Sequence, residues 1–98
     1  MIVERYTWVV KPGRRQDLIQ WCKELVGRKE LKDYTTRIYS TSFGARNNVV
    51  LEVEYETEES RLEYWAGIEW TPESTEFLNQ HHDMIEGLGQ TRELLNLH

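Results

Sequence analysis

Val49–Glu56, with the sequence VVLEVEYE, is the stretch that decides the fold of this chain. Its apolar residues recur at every second position and alternate with mostly acidic ones, a pattern typical of a strand with one buried face. We therefore expect Val49, Leu51, Val53 and Tyr55 to face a core. The other face is exposed to water, paired across strands or turned toward a cavity, and the function depends on which of these holds.

The segments on either side of this strand predict an α+β domain. The expected elements are a strand at Ile2–Lys11, a helix at Gln16–Gly27, a strand at Tyr34–Phe43, a helix capped by Thr57, a helix at Pro72–Glu86 capped by Thr71, and a strand at Gln90–Leu97. This order is that of the ferredoxin-like β-α-β-β-α-β sandwich, in which helices cover one face of a four-stranded antiparallel sheet. We expect a single domain over residues 1–98, because the sequence contains no internal repeat or linker.

Local patterns also predict a hairpin register and the buried faces. If Phe43 pairs with Asn48 across a turn at 44–47, this pair fixes the register of the hairpin between the second and third strands. In this register, the residue pairs that face each other on the side away from the core are Tyr39 with Glu52 and Arg37 with Glu54.

The first strand turns Ile2, Tyr6, Trp8 and Val10 to one side and Val3, Arg5, Thr7 and Val9 to the other. The helix after Thr57 is expected to bury Leu62, Trp65 and Ala66, extended by Tyr64 and Ile68.

The composition favours a protein that pairs with itself. Four Trp, five Tyr and two Phe in 98 residues give more aromatic surface than one small core comfortably buries. The uncovered sheet face would expose Val3, Val9, Tyr39, Phe43 and Val50, so we expect a homodimer formed through this face. The net charge of −5 argues against nucleic acid or an anionic membrane as a partner.

Cysteine usage and hydropathy favour a cytoplasmic protein. Cys22 is the only cysteine, so no internal disulfide can form, and its helical neighbours suggest a small buried side chain. Nothing in the sequence has the pattern of a secretory leader or of an apolar run that could span a bilayer.

Three local features resemble a known group of proteins. They are Lys11-Pro12-Gly13 after the first strand, Tyr64-Trp65 in the helix after the hairpin, and the last strand Gln90-Thr91-Arg92-Glu93-Leu94. With the order of elements, they are similar to the dimeric α/β-barrel superfamily, in particular its NIPSNAP-type or antibiotic-biosynthesis-monooxygenase-like members. The resemblance implies a homodimer whose two sheets form a barrel, with a pocket between sheet and helices in each protomer. Its members include cofactor-independent monooxygenases, haem-degrading oxygenases, small isomerases and proteins without established activity, so the fold alone does not select a function.

His81 is the candidate catalytic residue. It shares a helical stripe with Phe77 and Leu78, so it either faces a cavity as a proton acceptor or is packed in the core. His82 and Glu86 lie four residues apart, but two ligands do not make a metal site, and we expect none. Haem would need an axial ligand, for which only His81 offers itself, so no cofactor is expected.

The candidate ligand-binding residues are aromatic or charged. They are Tyr6, Trp8, Arg37, Tyr39, Glu52, Trp65 and His81. The aromatic residues, with Tyr64 and Trp70, line a cavity for a small apolar or aromatic molecule or simply fill the core. The charged ones form ion pairs across strands or do acid/base work. The two functions left open are a monooxygenase-like enzyme and a non-catalytic structural or ligand-binding dimer.

Overall fold

The computed structural model describes residues 1–41 and 47–98. In these residues the chain forms β1 (Ile2–Val10), α1 (Arg15–Val26), β2 (Thr35–Ser40), β3 (Asn48–Tyr55), α2 (Glu58–Ala66), α3 (Pro72–Asn79), a 3₁₀ turn (Gln80–Met84) and β4 (Ile85–Asn96). The predicted ferredoxin-like order of elements is confirmed. Among the described residues, no helix combines the length and the apolar content that crossing a membrane requires.

The described strands form one antiparallel sheet in the order β2-β3-β1-β4. Its inner face, packed against the helices, carries Trp8 and Val10 of β1 and the predicted apolar row of β3. From α1, the residues Leu18, Trp21 and Cys22 complete this core. The opposite face, called the open face below, carries Val3, Arg5, Thr7 and Val9 of β1 with their neighbours Arg37, Tyr39, Val50, Glu52 and Glu54.

The predicted hairpin register is wrong by two residues. Arg37 lies opposite Glu52 and Tyr39 opposite Val50, and the Thr41 backbone N–H donates to the Asn48 carbonyl oxygen at 3.0 Å. A shift of two residues keeps every side chain on its predicted face, so the alternation of apolar residues could not exclude it. The predicted partner Phe43 and the turn residues 44–46 lie outside the described residues.

The last helix and the last strand are also divided differently from the prediction. The expected helix Pro72–Glu86 stops at Asn79, and β4 begins at Ile85 rather than Gln90. Ile85 pairs with Val10, so pairing with β1 outweighs the helical spacing of these residues. Gly89 lies inside this strand, where an added Cβ would come within 2.8 Å of the Val9 Cβ.

The inward face of α2 agrees only in part with the prediction, since Tyr64, Trp65 and the following Ile68 are partly buried as expected but two other residues are not. Leu62 and Ala66 are exposed, whereas Arg61, Tyr64 and Trp65 are partly buried. Contacts of Arg61 with a buried carboxylate, described below, explain this rotation. The helix starts are as predicted: Thr57 forms a capping box with Ser60, and Thr71 forms one with Ser74.

Candidate functional site

A cavity of about 320 Å³ lies between the inner face of the sheet and the helices. This volume is within the range of small-molecule sites. Seven aromatic side chains line the cavity: Tyr6, Trp8, Trp21, Tyr55, Tyr64, Trp65 and Trp70. Trp70, in the segment between α2 and α3, is 60% exposed and marks the mouth. These aromatic residues therefore line a cavity and also form part of the core.

The aromatic walls are fixed by contacts with one another. The rings of Tyr6 and Trp8 on β1 stack at 5.8 Å between centroids, and Trp8 meets Trp21 of α1 edge to face at 5.8 Å. The Trp21 indole N–H donates to the Phe77 carbonyl oxygen at 2.9 Å, which ties α1 to α3. These contacts fix the orientation of the aromatic rings and leave the cavity between them open.

His81 lines the same cavity from the 3₁₀ turn that follows α3. Its Nδ1 lies 2.6 Å from the Leu78 carbonyl oxygen, and its ring stacks on Trp21 at 4.5 Å. Because a carbonyl oxygen only accepts, Nδ1 carries the proton, which leaves Nε2 as the acceptor in the neutral ring. Burial lowers the pKa of His81, an effect that the Leu78 contact partly opposes. The imidazole is consequently neutral near pH 7 and chemically able to take up a proton.

Glu4 is a buried carboxylate that the sequence analysis did not select. It belongs to β1 between Ile2 and Tyr6, lines the cavity and is 1% exposed. Its Oε1 accepts a 2.5 Å hydrogen bond from the Tyr6 hydroxyl, and its Oε2 accepts from Arg92 at 2.8 Å and from Arg61 at 3.3 Å. Two cations and a phenol thus hold the carboxylate in place.

The phenols of the cavity are hydrogen-bond donors. Burial raises the pKa of Tyr6 and Tyr55, with Glu4 adding to the shift in both, and burial raises the pKa of Tyr64 to about 12. All three hydroxyls therefore keep their protons at neutral pH. Within the described residues, the Tyr55 hydroxyl finds no hydrogen-bond partner, and neither do the indole nitrogens of Trp8 and Trp65.

Three candidate ligand-binding residues lie on the open face, away from the cavity. Arg5 forms a 2.7 Å ion pair with Glu52, to which the Tyr39 hydroxyl also donates at 3.2 Å. Arg37 pairs diagonally with Glu54. The structure therefore separates the predicted set into a cavity group of Tyr6, Trp8, Trp65 and His81 and an open-face group of Arg37, Tyr39 and Glu52. A binding role for either group stays a prediction.

Metal and thiol chemistry find no support in the part of the chain that is described. No three or more of its His, Cys, Asp and Glu side chains lie close enough together to hold a metal ion. Burial raises the pKa of the Cys22 thiol to about 12, so the thiolate needed for nucleophilic attack does not form at neutral pH.

Comparison with known proteins identifies the fold. No protein-family model and no curated protein matches this sequence. Among solved structures, an uncharacterized NIPSNAP domain protein from Burkholderia xenovorans superposes with a TM-score of 0.79 at 17% identity, covering 100% of this chain and 95% of that chain. A NIPSNAP family protein from Agrobacterium tumefaciens gives 0.74 at 17% identity, with 97% and 90% covered.

An antibiotic biosynthesis monooxygenase is also similar, with a TM-score of 0.69 at 13% identity and 99% and 98% of the two chains covered. The structural neighbours are thus the two groups that the sequence resembles, and both have ferredoxin-like folds. At these identities the likeness shows a shared fold. The roles of individual residues depend on the geometry of this chain.

Proposed function

We propose that this protein binds a small apolar or aromatic molecule in the cavity between its sheet and its helices. The observation that carries the proposal is the aromatic lining of a space of about 320 Å³, which would be filled by side chains in an ordinary core of this size. Flat apolar molecules gain both burial and ring stacking in such a space.

Calorimetric titration with naphthalene tests this proposal. Ile68 lines the cavity and is partly buried, so the Ile68→Trp variant should occupy the space and abolish the binding heat. Leu62 is 55% exposed on α2 and does not line the cavity, so Leu62→Trp adds the same side chain elsewhere as a control. Equal binding by both variants would place the ligand outside the cavity and remove the proposal.

The proposed assembly is a homodimer formed through the open face. The two ion pairs there, Arg5 with Glu52 and Arg37 with Glu54, match each charge within one chain, so a second copy could cover them without leaving a charge unpaired. Val50 contributes apolar surface between these two ion pairs and the end of the hairpin at which β2 and β3 are connected. Covering this surface is the expected driving force for association.

Sedimentation at micromolar concentration tests the assembly. We expect twice the protomer mass of 11.8 kDa for the natural sequence. Val50→Glu should shift the species to the protomer, because it puts an unpaired carboxylate at the interface. Leu62→Glu, the same new charge on an exposed helix position, should not. A natural protein that sediments as a protomer would remove the dimer.

A monooxygenase-like reaction is a second candidate, supported by His81. In the neutral imidazole ring, Nε2 carries no proton and could take one from an activated CH₂ group of the ligand. One atom of dioxygen then becomes the carbonyl oxygen on that carbon, and the other leaves as water with the two hydrogens removed. No cofactor is invoked. If no such reaction takes place, the protein is a non-catalytic dimer that binds its ligand in the same cavity.

Dioxygen uptake with anthrone, a flat molecule with an acidic CH₂ group, distinguishes an enzyme from a binding protein. For an enzyme, His81→Asn should lower the rate about a hundredfold through loss of the base. His98→Asn should not, since His98 is exposed at the last position of the sequence and does not line the cavity. Binding without uptake would favour the non-catalytic dimer, and equal losses in both variants would rule out His81 as the base.

A cytoplasmic location is part of the same proposal, supported by the free, buried thiol of Cys22. Fractionation of cells that express the natural protein would test it, and recovery from a secreted or periplasmic fraction would contradict it.

A further inference from the structure

Glu30 lies at the boundary between the main cavity and a second one. The second cavity has a volume of about 230 Å³ and is lined by Glu30, Tyr34, Glu63, Tyr64 and Gly67. Glu30 and Tyr64 line the main cavity as well. The backbone next to Glu30 is fixed, because Leu31 is 4% exposed and its N–H donates to the Arg28 carbonyl oxygen at 3.0 Å. The structure thus holds one carboxylate where the two cavities meet.

The Glu30 carboxylate is weakly paired and can be reached. Its ion-pair partner Arg28 is 3.9 Å away, which is too far for a hydrogen bond, and no other group within residues 1–41 and 47–98 forms an ion pair with it. Arg28 also lies over the Phe77 ring at 4.8 Å, and the neighbours Lys29 and Lys32 are exposed. The Glu30 side chain is 20% exposed, so a ligand can approach it without displacing protein atoms.

The other buried carboxylate of the main cavity is already neutralised. Glu4 pairs with Arg61 and Arg92, and Arg61 also pairs with Glu58. Two carboxylates therefore face two guanidinium groups at this end. A charged group of a ligand would lose its hydration there without meeting a free counter-charge.

The charges at the end near Glu30 do not balance in this way. Glu30 and Glu69 line the main cavity, and Glu63 lines the second one. Apart from the Glu4 group, Arg28 is the one Lys or Arg that the described residues contribute to either lining. Three carboxylates therefore share one cation, an excess that favours a positively charged group.

We propose, on the basis of the binding function proposed above, that the ligand is a flat aromatic molecule with a positively charged amino group, and that Glu30 binds this group. The apolar walls take up the rings, and the Glu30 carboxylate accepts a hydrogen bond from the ammonium. Tyr64 lines both cavities, and the face of a phenol ring attracts a cation. Glu30 is thus the residue that distinguishes an amine from a neutral molecule of the same shape.

Calorimetric titration with naphthylmethylamine, naphthylmethanol and naphthoate tests this inference, since the three share the ring system of naphthalene. At pH 8 the amine is protonated, whereas the histidines of the cavity add no charge. We expect the amine to bind about tenfold more tightly than the alcohol, which corresponds to one hydrogen bond to a charged group. Naphthoate should bind most weakly. In Glu30→Gln, the amine should fall to the affinity of the alcohol, whose own affinity should not change.

Glu76→Gln is the matched control. Glu76 is exposed on α3 and lines neither cavity, so this variant loses the same charge elsewhere and should keep the preference for the amine. Equal binding of amine and alcohol, an unchanged preference in Glu30→Gln, or an equal loss in both variants would overturn the inference. Tightest binding of naphthoate would also overturn it. In each case, binding of naphthalene leaves the proposed function standing; if naphthalene does not bind either, that function fails as well.

Discussion

Replacing Glu4 by Gln tests whether the buried carboxylate holds the domain together. The substitution keeps the size of the side chain and one carbonyl oxygen. It removes the negative charge, and it turns one acceptor into an NH₂ donor that faces either the guanidinium groups or the Tyr6 hydroxyl. The Glu4 side chain is 1% exposed, so water cannot replace the lost partner.

The expected cost follows from the contacts that are lost. Removing one partner of a fully buried ion pair costs about 3–5 kcal/mol. Here the penalty is smaller, because the Arg92 side chain is 48% exposed and Arg61 keeps its bonds to Glu58. A hydrogen bond to a charged group contributes about 1.5–3 kcal/mol, so we expect Glu4→Gln to lower the free energy of unfolding by about 2–3 kcal/mol.

Urea unfolding followed by tryptophan fluorescence measures this change. Protein concentration must be held fixed, because a dimer unfolds at a midpoint that depends on concentration. Glu54→Gln is the matched control: it makes the same change in β3, where the carboxylate is 13% exposed and Arg37 is its one ion-pair partner among the described residues, and it should cost clearly less. If Glu4→Gln costs no more than Glu54→Gln, the carboxylate is not an anchor and the argument is wrong.

Three further predictions concern other parts of the fold. Gly89→Ala should lower the melting temperature, with a cost of about 1–3 kcal/mol, because the new Cβ would meet Val9 at 2.8 Å; Gly87→Ala, with nothing within 4 Å, should not. Burial puts the folded-state pKa of His81 below the unfolded value of 6.5, so the unfolded chain binds more protons between the two. Stability should therefore fall as the pH drops through this window, and less so in His81→Gln, as urea titrations at several pH values would show. Cys22, with its pKa raised to about 12, should react with iodoacetamide only after unfolding, which mass spectrometry can follow; modification of the native protein would contradict its burial.

The faces of the strands could be predicted from the sequence because a strand repeats every two residues. The alternation in β3 placed Val49 through Tyr55 correctly, and the caps Thr57 and Thr71 marked the starts of α2 and α3. The register of β2 could not be predicted in this way. Shifts of two residues preserve the alternation, and both registers bring Arg37 within reach of Glu54, either directly opposite or diagonally.

The end of α3 was mispredicted because its local pattern suits two structures. The spacing of Phe77, His81 and Ile85 continues a helical stripe, and the sequence alone offers Gly87 as the first stop signal. The chain instead leaves the helix after Asn79, and Ile85 pairs with Val10 of β1. Pairing between residues so far apart in sequence is decided by tertiary structure, which a local pattern does not contain.

Glu4 shows why the candidate site was only half predictable. Its place in the alternation between Ile2 and Tyr6 indicates an inward position, and an acidic residue at such a position needs buried partners. Those partners cannot be identified from the sequence, because Arg61 and Arg92 are 57 and 88 residues away. Once Arg61 turns inward to reach the carboxylate, α2 presents Trp65 to the cavity and exposes Leu62. One buried charge thus sets the rotation of a helix, and with it the aromatic wall on which the proposed ligand site depends.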